Sequence, residues 1–557
     1  MPQLPDRSNI DHLKKQAKDL IRCFRNRDPE AIARFRRALP AAAGRSDAEI
    51  ASLDLRLHDA QSCVAREYGF VSWADLRRYI DARSGPRDDE AARVLRWLAL
   101  VYSGELRGII ARPSPRVAAR MLSENPDLAG GSPYLACPIG DRGALEQATR
   151  SDPGWINRPG GPLNLPPLLA VAHSTLLQLA EFRERLHGSA RFLLSAGADP
   201  NQRIGNRLPP GSPSSPDDAH PLSALYGAAG LNHDAELTKL LLDAGADPND
   251  GESLYHSVDD LACARLLLQR GARIEGSNAL YRVLDFDNIA ALELLLQHGA
   301  DPNEPAGNAP LTDWGSPLLW GIRRRRSRRH IAALLEAGAD LSARTPGGLS
   351  AYGLAVQLGL EEVAKLLQGH GVAEPVSEED QFIAACARGD EAEARRIRTR
   401  RPDLPGSLPP ERLRALPELA AAGCEAGAKL MIRMDWPIAV RGGDWSASAL
   451  NLAVFRGDAG LTRFLLEHGA SWTEEHGHGD NACGTLSWAS CNEPVKGGDW
   501  VGCARALLEH GMPGAEPDPQ DPDRVLIDGH RKRFSHEVSE VLLERFSRSG
   551  SAARPRR

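Results

Sequence analysis

LLSAGADPN at residues 193–201 is followed by LLDAGADPN at residues 241–249, and this recurrence decides how the rest of the chain is read. The phrase returns as LLLQRGARIE (266–275), LLLQHGADPNE (294–304) and LLEAGADLSA (334–343). Weaker copies are LLQGHGV (366–372), FLLEHGASW (464–472) and LLEHGMPG (507–514). Alignment puts Gly197, Gly245, Gly271, Gly299, Gly338, Gly371, Gly469 and Gly511 in one register. A second phrase precedes the first: PPLLAVAHS (166–174), HPLSALYGAAG (220–230), SPLLWGI (316–322), ALNLAVFRGD (449–458) and GTLSWAS (484–490).

Each unit predicts two short helices. The first is rich in Ala and Leu. The second carries paired leucines at helical spacing, such as Leu237, Leu240 and Leu241, and stops at a glycine whose missing Cβ permits the left-handed cap. Ala-Asp-Pro-Asn then turns the chain, with Pro248 holding φ and Asp247 available for local hydrogen bonds. Such a helix pair cannot bury its own apolar face, but a stack of like pairs can, which predicts a quasi-one-dimensional column.

The two phrases resemble those of the bacterial ankyrin-repeat family, over roughly 88–546, with about ten to twelve units. The second phrase is a degenerate form of that family's T-P-L-H-x-A helix start, with the histidine missing. The gap from Gly371 to Gly469 is about three periods of roughly 33 residues. Worn units at 383–404 and 419–438 fill it. The resemblance implies an all-α, ankyrin-type solenoid whose work is binding, with a protein partner along a concave surface and no catalysis or cofactor.

Outside the repeats, residues 1–85 predict a separate helical module. Helices are expected at 10–26 with Ser8 or Asn9 as cap, from Asp28-Pro29, at 56–68 and at 72–83. The phrases HLKKQAKDLIR and LHDAQSCVAREYGFVSWADLRRYI resemble a helical region at the front of many bacterial ankyrin proteins, which carries no established activity. AREYGFVSWADLRRYI also admits a helix-turn-helix reading, with Arg77 and Arg78 on the second helix. The module holds 16 Lys/Arg against 12 Asp/Glu, a local net charge of +4. DNA binding or transcriptional regulation is therefore an alternative, although Trp73 and Tyr79 read as core. Ser84-Gly85-Pro86 marks a boundary to the repeat region, 86–546. Residues 202–220, rich in Pro, Gly and Ser, predict a flexible finger, 524–546 a C-terminal cap, and 547–557 a disordered tail.

The whole chain has 557 residues, a formal net charge of −6, 42% hydrophobic and 25% charged residues. That composition suits a folded protein and argues against a globally basic nucleic-acid binder. Apolar runs such as 97–102 fall far short of a membrane span, and the first residues, MPQLPDRSNIDHLKKQ, lack the apolar core of a secretory signal. Nine scattered cysteines fit reduced thiols in a cytoplasm, and a monomer is expected.

Cys263 and Cys503 each lie eight residues before a repeat glycine. Cys137, Cys386 and Cys424 each lie three before a glycine expected in a turn, at Gly140, Gly389 and Gly427. A shared register means equivalent packing positions, and free cysteine usually packs as a small hydrophobe. His476 and His478, with Cys483 and Cys491 downstream, supply the ligand types zinc prefers but no C-x-x-C pair; an exposed polar finger is the competing reading, and a metal or enzymatic site in the C-terminal repeats the third function considered. Arg323, Arg324, Arg325 and Arg326 form the densest charge run, at the turn between two helices. They are read either as a patch for phosphate or an acidic partner, or as a solvated helix end. Trp314, Trp445, Trp472 and Trp500 are placed in fingers or irregular loops as candidate partner anchors, whereas Trp320 and Trp488 are placed on first helices. G-x-x-x-x-G-K-[ST], G-x-S-x-G and H-E-x-x-H are all absent.

Overall fold

The computed structural model describes residues 4, 9–53, 55–84, 89–109, 112–209, 211–305, 315–521 and 524–543. They form two compact units, Met1–Ala279 and Leu280–Arg557. Thirty α-helices carry the described structure, so the protein is mostly helical. It also holds three small antiparallel sheets that an all-α reading did not anticipate.

The repeat phrase acts as read. All eight aligned glycines have positive φ, between 84° and 99°. At each, a Cβ would raise the cost of the left-handed conformation that ends the second helix. Second helices begin on a side-chain cap: Asp234, Asp260, Asn288 and Asp458 each accept a hydrogen bond from a first-turn N–H. Serines 223, 316, 350 and 448 do the same for first helices.

In the first unit, helix Ala180–Ser195 packs on Ala235–Asp243, and that on Leu261–Gln269. Their turns are joined by a device the sequence reading missed. Asn201 donates to the Gly245 carbonyl (2.9 Å) and accepts from the Asp247 N–H (2.7 Å). Asn157 makes the same pair of bonds to Gly197 and Asp199 (3.0 and 2.8 Å), and Asn249 to Gly271 and Arg273 (3.3 and 2.8 Å). Each asparagine thus satisfies one carbonyl and one N–H of the next turn, and at Asn201 and Asn249 this rung of the ladder is the last residue of a D-P-N turn.

Front helices Ile10–Arg25, Pro29–Ala38, Leu57–Glu67 and Trp73–Arg83 start within one residue of expectation, with Asn9 as the first cap, and a short helix at Asp47–Ala51 was not anticipated. Leu13, Phe35, Ile50, Val64 and Leu76 form their core, with Trp73 and Tyr79 buried as read. The last of these helices packs on Glu90–Val101 and Pro115–Glu124. Arg78 donates to Ser114 Oγ at 2.6 Å, and Arg77 lies 3.5 Å from Asp81. The arginines expected to line a DNA-reading helix are thus engaged within the protein. The expected boundary at Gly85-Pro86 and the 547–557 tail lie outside the described residues.

The finger at 202–220 is corrected. Strand Arg203–Asn206 pairs antiparallel with Asp217–Ser223. Arg207 is buried and donates to the carbonyls of Leu106 and Leu163, both at 2.8 Å, so the hairpin is anchored by donors that would otherwise have to be solvated. Pro, Gly and Ser mark a hairpin's bends as readily as a flexible loop.

In the second unit, Ile289–Gln297, Arg328–Glu336 and Glu361–Gly369 pack in succession, as do Glu425–Arg433, Ala459–Glu467 and Trp500–Glu509. First helices follow suit: Pro317–Arg323, Ala351–Gln357 and Glu378–Arg388, then Ala415–Ala421, Ala449–Arg456 and Ala482–Asn492. The worn units at 383–404 and 419–438 are therefore genuine helix pairs. Strands Val525–Ile527 and His530–Lys532 form a C-terminal hairpin whose Val525 and Ile527 join the core of this unit.

Candidate functional site

Cysteine register is the simplest test of equivalent positions. Cys263 and Cys503 are both fully buried, and each meets a threonine of the preceding unit, Thr238 at 3.7 Å and Thr462 at 3.5 Å. Both threonines lie seven residues before their own repeat glycine. Burial pushes both thiols up to about 12, which keeps them protonated packing groups. Cys137 and Cys386 are likewise buried before left-handed Gly140 and Gly389. The third pairing is corrected: Gly427 lies inside helix Glu425–Arg433, and the turn glycine is Gly423.

The second unit contains a cleft of about 1080 Å³. It collects residues from five first helices and from the fingers between them, including Asp285, Phe286, Arg323 to Arg326, Glu418, Asp444, Trp445, Phe455, Arg456, His476, His478 and Trp488. Sequence reading had picked the arginines, Trp445 and the two histidines separately; the fold brings them to one surface.

The arginine run is neither a solvated end nor a free patch. Arg323, with its side chain 4% exposed, forks onto Glu418 (2.9 and 3.1 Å) and reaches Asp444 at 2.8 Å. Burial opposes its charge, but Glu418 and Asp444 outweigh that and raise its pKa. Arg324 bridges Asp444 (2.6 Å) and Asp285 (2.8 Å) and lies over the Trp320 ring at 4.1 Å. Residues 95 and 120 positions apart are thereby tied together. Arg325, at φ 57°, donates to the Leu358 carbonyl (2.6 Å), Arg326 to the Arg324 carbonyl, and Arg456 to the Ala421 carbonyl (3.0 Å). These three place their donors on neutral carbonyls, and Asp480 takes Lys532 at 2.5 Å. The lining therefore carries positive charge that its own carboxylates do not balance, although Arg326 also stands 3.8 Å from Asp287.

Aromatic rings form the other part of the surface. Phe455 and Trp488 stack at 5.5 Å with 9° between their planes, and Trp488 remains 49% exposed. Trp445 stacks on His478 (6.3 Å, 17°) and meets His476 edge-on at 4.8 Å. Phe286 is 43% exposed. Trp488, Phe286, Phe455 and Arg456 were missed as site residues. The available signal was register: Trp488 in TLSW aligns with Trp320 in PLLW. Trp320 is covered by Arg324 and donates to Asp285 at 3.1 Å, whereas Trp488, stacked on Phe455, stays half exposed.

The remaining candidates separate. Trp500 is buried at the start of helix Trp500–Glu509, not in a loop, and Trp472 is half-buried against the core. Trp314 lies outside the described residues. The zinc reading of His476, His478, Cys483 and Cys491 is corrected. His476 is buried against Trp445, with its pKa lowered by that burial, so the finger is not simply exposed. Cys483 is buried in helix Ala482–Asn492, with its thiol pushed up to about 11, and Cys491 is exposed near the helix end. Among the described residues these four form no converging ligand group.

Comparison with known proteins adds a short likeness. Over 83 residues, 13% of the chain, the sequence is 37% identical to the Transient receptor potential channel pyrexia of Drosophila melanogaster. The match spans 9% of that channel's length. The relative is an insect protein and lends nothing to a bacterial origin. No family model matches the chain. Among the described residues no helix is long and apolar enough to cross a membrane.

Proposed function

We propose that this chain is an ankyrin-type helical solenoid acting as a non-catalytic interaction scaffold, and that its second unit binds a protein segment bearing acidic and aromatic residues. The cleft carries this reading. It offers a stacked Phe455–Trp488 platform and exposed Phe286 beside Arg325 and Arg456, whose donors meet carbonyls, and Arg326, which meets a carbonyl and stands 3.8 Å from Asp287. Exposed tryptophan and arginine are the residue types that dominate binding energy when a partner desolvates them. The recurring helix–glycine–turn phrase and the short sequence match support the repeat assignment.

Panning a random peptide display library on the full chain tests it. Peptides with acidic and aromatic residues are the expected selection, and Trp488→Ala and Arg325→Glu are expected to lose them with circular dichroism unchanged. Equal selection by wild type and both variants, or peptides without acidic bias, rejects the assignment.

A further inference from the structure

A second cluster, in the first unit, has no part in the cleft. Helix Ala180–Ser195 carries Glu184 and His187 three residues apart, on one face, and helix Ala235–Asp243 brings Glu236 beside them. One ligand atom from each lies within 4.8 Å of the other two. His187 is 1% exposed, while both glutamates stand at the surface.

The imidazole is oriented. Its Nε2–H donates to Asp234 Oδ1 at 2.9 Å, and the same oxygen caps the neighbouring helix by accepting from the Leu237 N–H at 2.8 Å. A carboxylate on one ring nitrogen is the arrangement that fixes the tautomer of a metal-ligating histidine. The other nitrogen, Nδ1, is buried and makes no hydrogen bond, although Glu236 Oε2 is only 3.3 Å away. An imidazolium would aim an N–H at that oxygen. A cation held among these groups would instead take the Nδ1 lone pair and the Glu236 carboxylate together, and so satisfy the buried nitrogen. Ligands bound at about 2.0 Å around a tetrahedral ion are separated by roughly 3.3 Å, so the observed edge has the right length.

We propose that His187 Nδ1, Glu236 and Glu184 bind a divalent first-row metal ion such as zinc, with Asp234 as the positioning residue. Two carboxylates and a neutral imidazole balance the charge of the ion, and solvent completes its shell. Arg191 holds the other oxygen of Glu236 and so keeps that carboxylate beside the histidine, at the cost of a nearby positive charge. The ion staples second helices of adjacent repeats. This inference does not depend on the cleft.

The test uses the full chain, stripped with EDTA and titrated with zinc chloride, with bound zinc counted by elemental analysis and the thermal midpoint followed. Wild type is expected to take up one zinc equivalent and to melt at a higher temperature with it. Glu184→Gln is expected to bind at least tenfold more weakly, and Glu184→Gln/Glu236→Gln to show neither uptake at this stoichiometry nor a shift. Both glutamates are exposed, so these variants spare the core. No uptake by wild type, or equal uptake by wild type and the double variant, overturns the site.

Discussion

Two regions hold residues from different repeats together, and they do so by opposite means. The asparagine ladder, which runs through the first unit and has one further rung in the second where Asn303 meets Gly338 and Asp340, joins a turn to the next one along through neutral bonds at an exposed edge. In the second unit, Asp285, Arg324, Asp444, Arg323 and Glu418 form a chain of ion pairs that skips whole repeats and lines a cleft. A ladder between neighbours is what a one-dimensional stack needs. Bonds between residues 95 and 120 positions apart are expected to make the second unit more cooperative than such a stack, because loss of one member would be felt by distant repeats. The consequence is that a network centred on the buried Arg323 shapes the candidate binding surface of the second unit and stabilises it at the same time.

The sharpest way to break this contrast is Glu418→Ala. It leaves the Arg323 guanidinium buried with half its partners, and removing one member of a buried pair costs about 3–5 kcal/mol. Urea unfolding of the full chain is expected to show that loss, with distant repeats of the second unit unfolding together. A loss below about 1 kcal/mol would place the network among ordinary surface pairs.

Next in size is a pH effect in the first unit. Burial lowers the His173 pKa from 6.5 to about 4 and keeps the ring neutral, although the Nε2–H bond to the Ser223 carbonyl partly opposes that shift. The unfolded chain takes up this proton below pH 6.5 and the folded chain only near 4, so stability falls as pH drops through that window and levels off beneath it. At about 1.4 kcal/mol per pKa unit the loss is about 3 kcal/mol. His173→Gln is expected to flatten that slope, as measured by urea midpoints at pH 7, 5.5 and 4; parallel slopes would refute it.

Asn201→Ala removes two exposed bonds of the ladder, each worth about 1 kcal/mol at most. A modest decrease in the unfolding midpoint is expected, well below that of Glu418→Ala. An effect equal to it would erase the contrast between the two regions. Smallest of all on stability is Trp488→Ala. Its exposed ring is expected to change the unfolding free energy by no more than about 0.5 kcal/mol while abolishing peptide selection.

Helix order, the eight left-handed glycines and the equivalence of Cys263 with Cys503 were legible in the sequence, because each follows from backbone geometry or packing that repeats with the phrase itself. The worn units were legible too, since Ala-rich and Leu-rich helices survive loss of the turn motif. Trp320 and Trp488 share a register yet differ in exposure, and no local pattern distinguishes them. Four adjacent arginines look like a solvated charge run until Glu418 and Asp444 arrive from other repeats. Local periodicity thus determined which residues turn, cap and stack, because those forces act within a few residues of chain. Only the tertiary structure decided which charges are neutralised and which rings stay open, because ion pairing and burial depend on neighbours that the chain delivers from a hundred residues away.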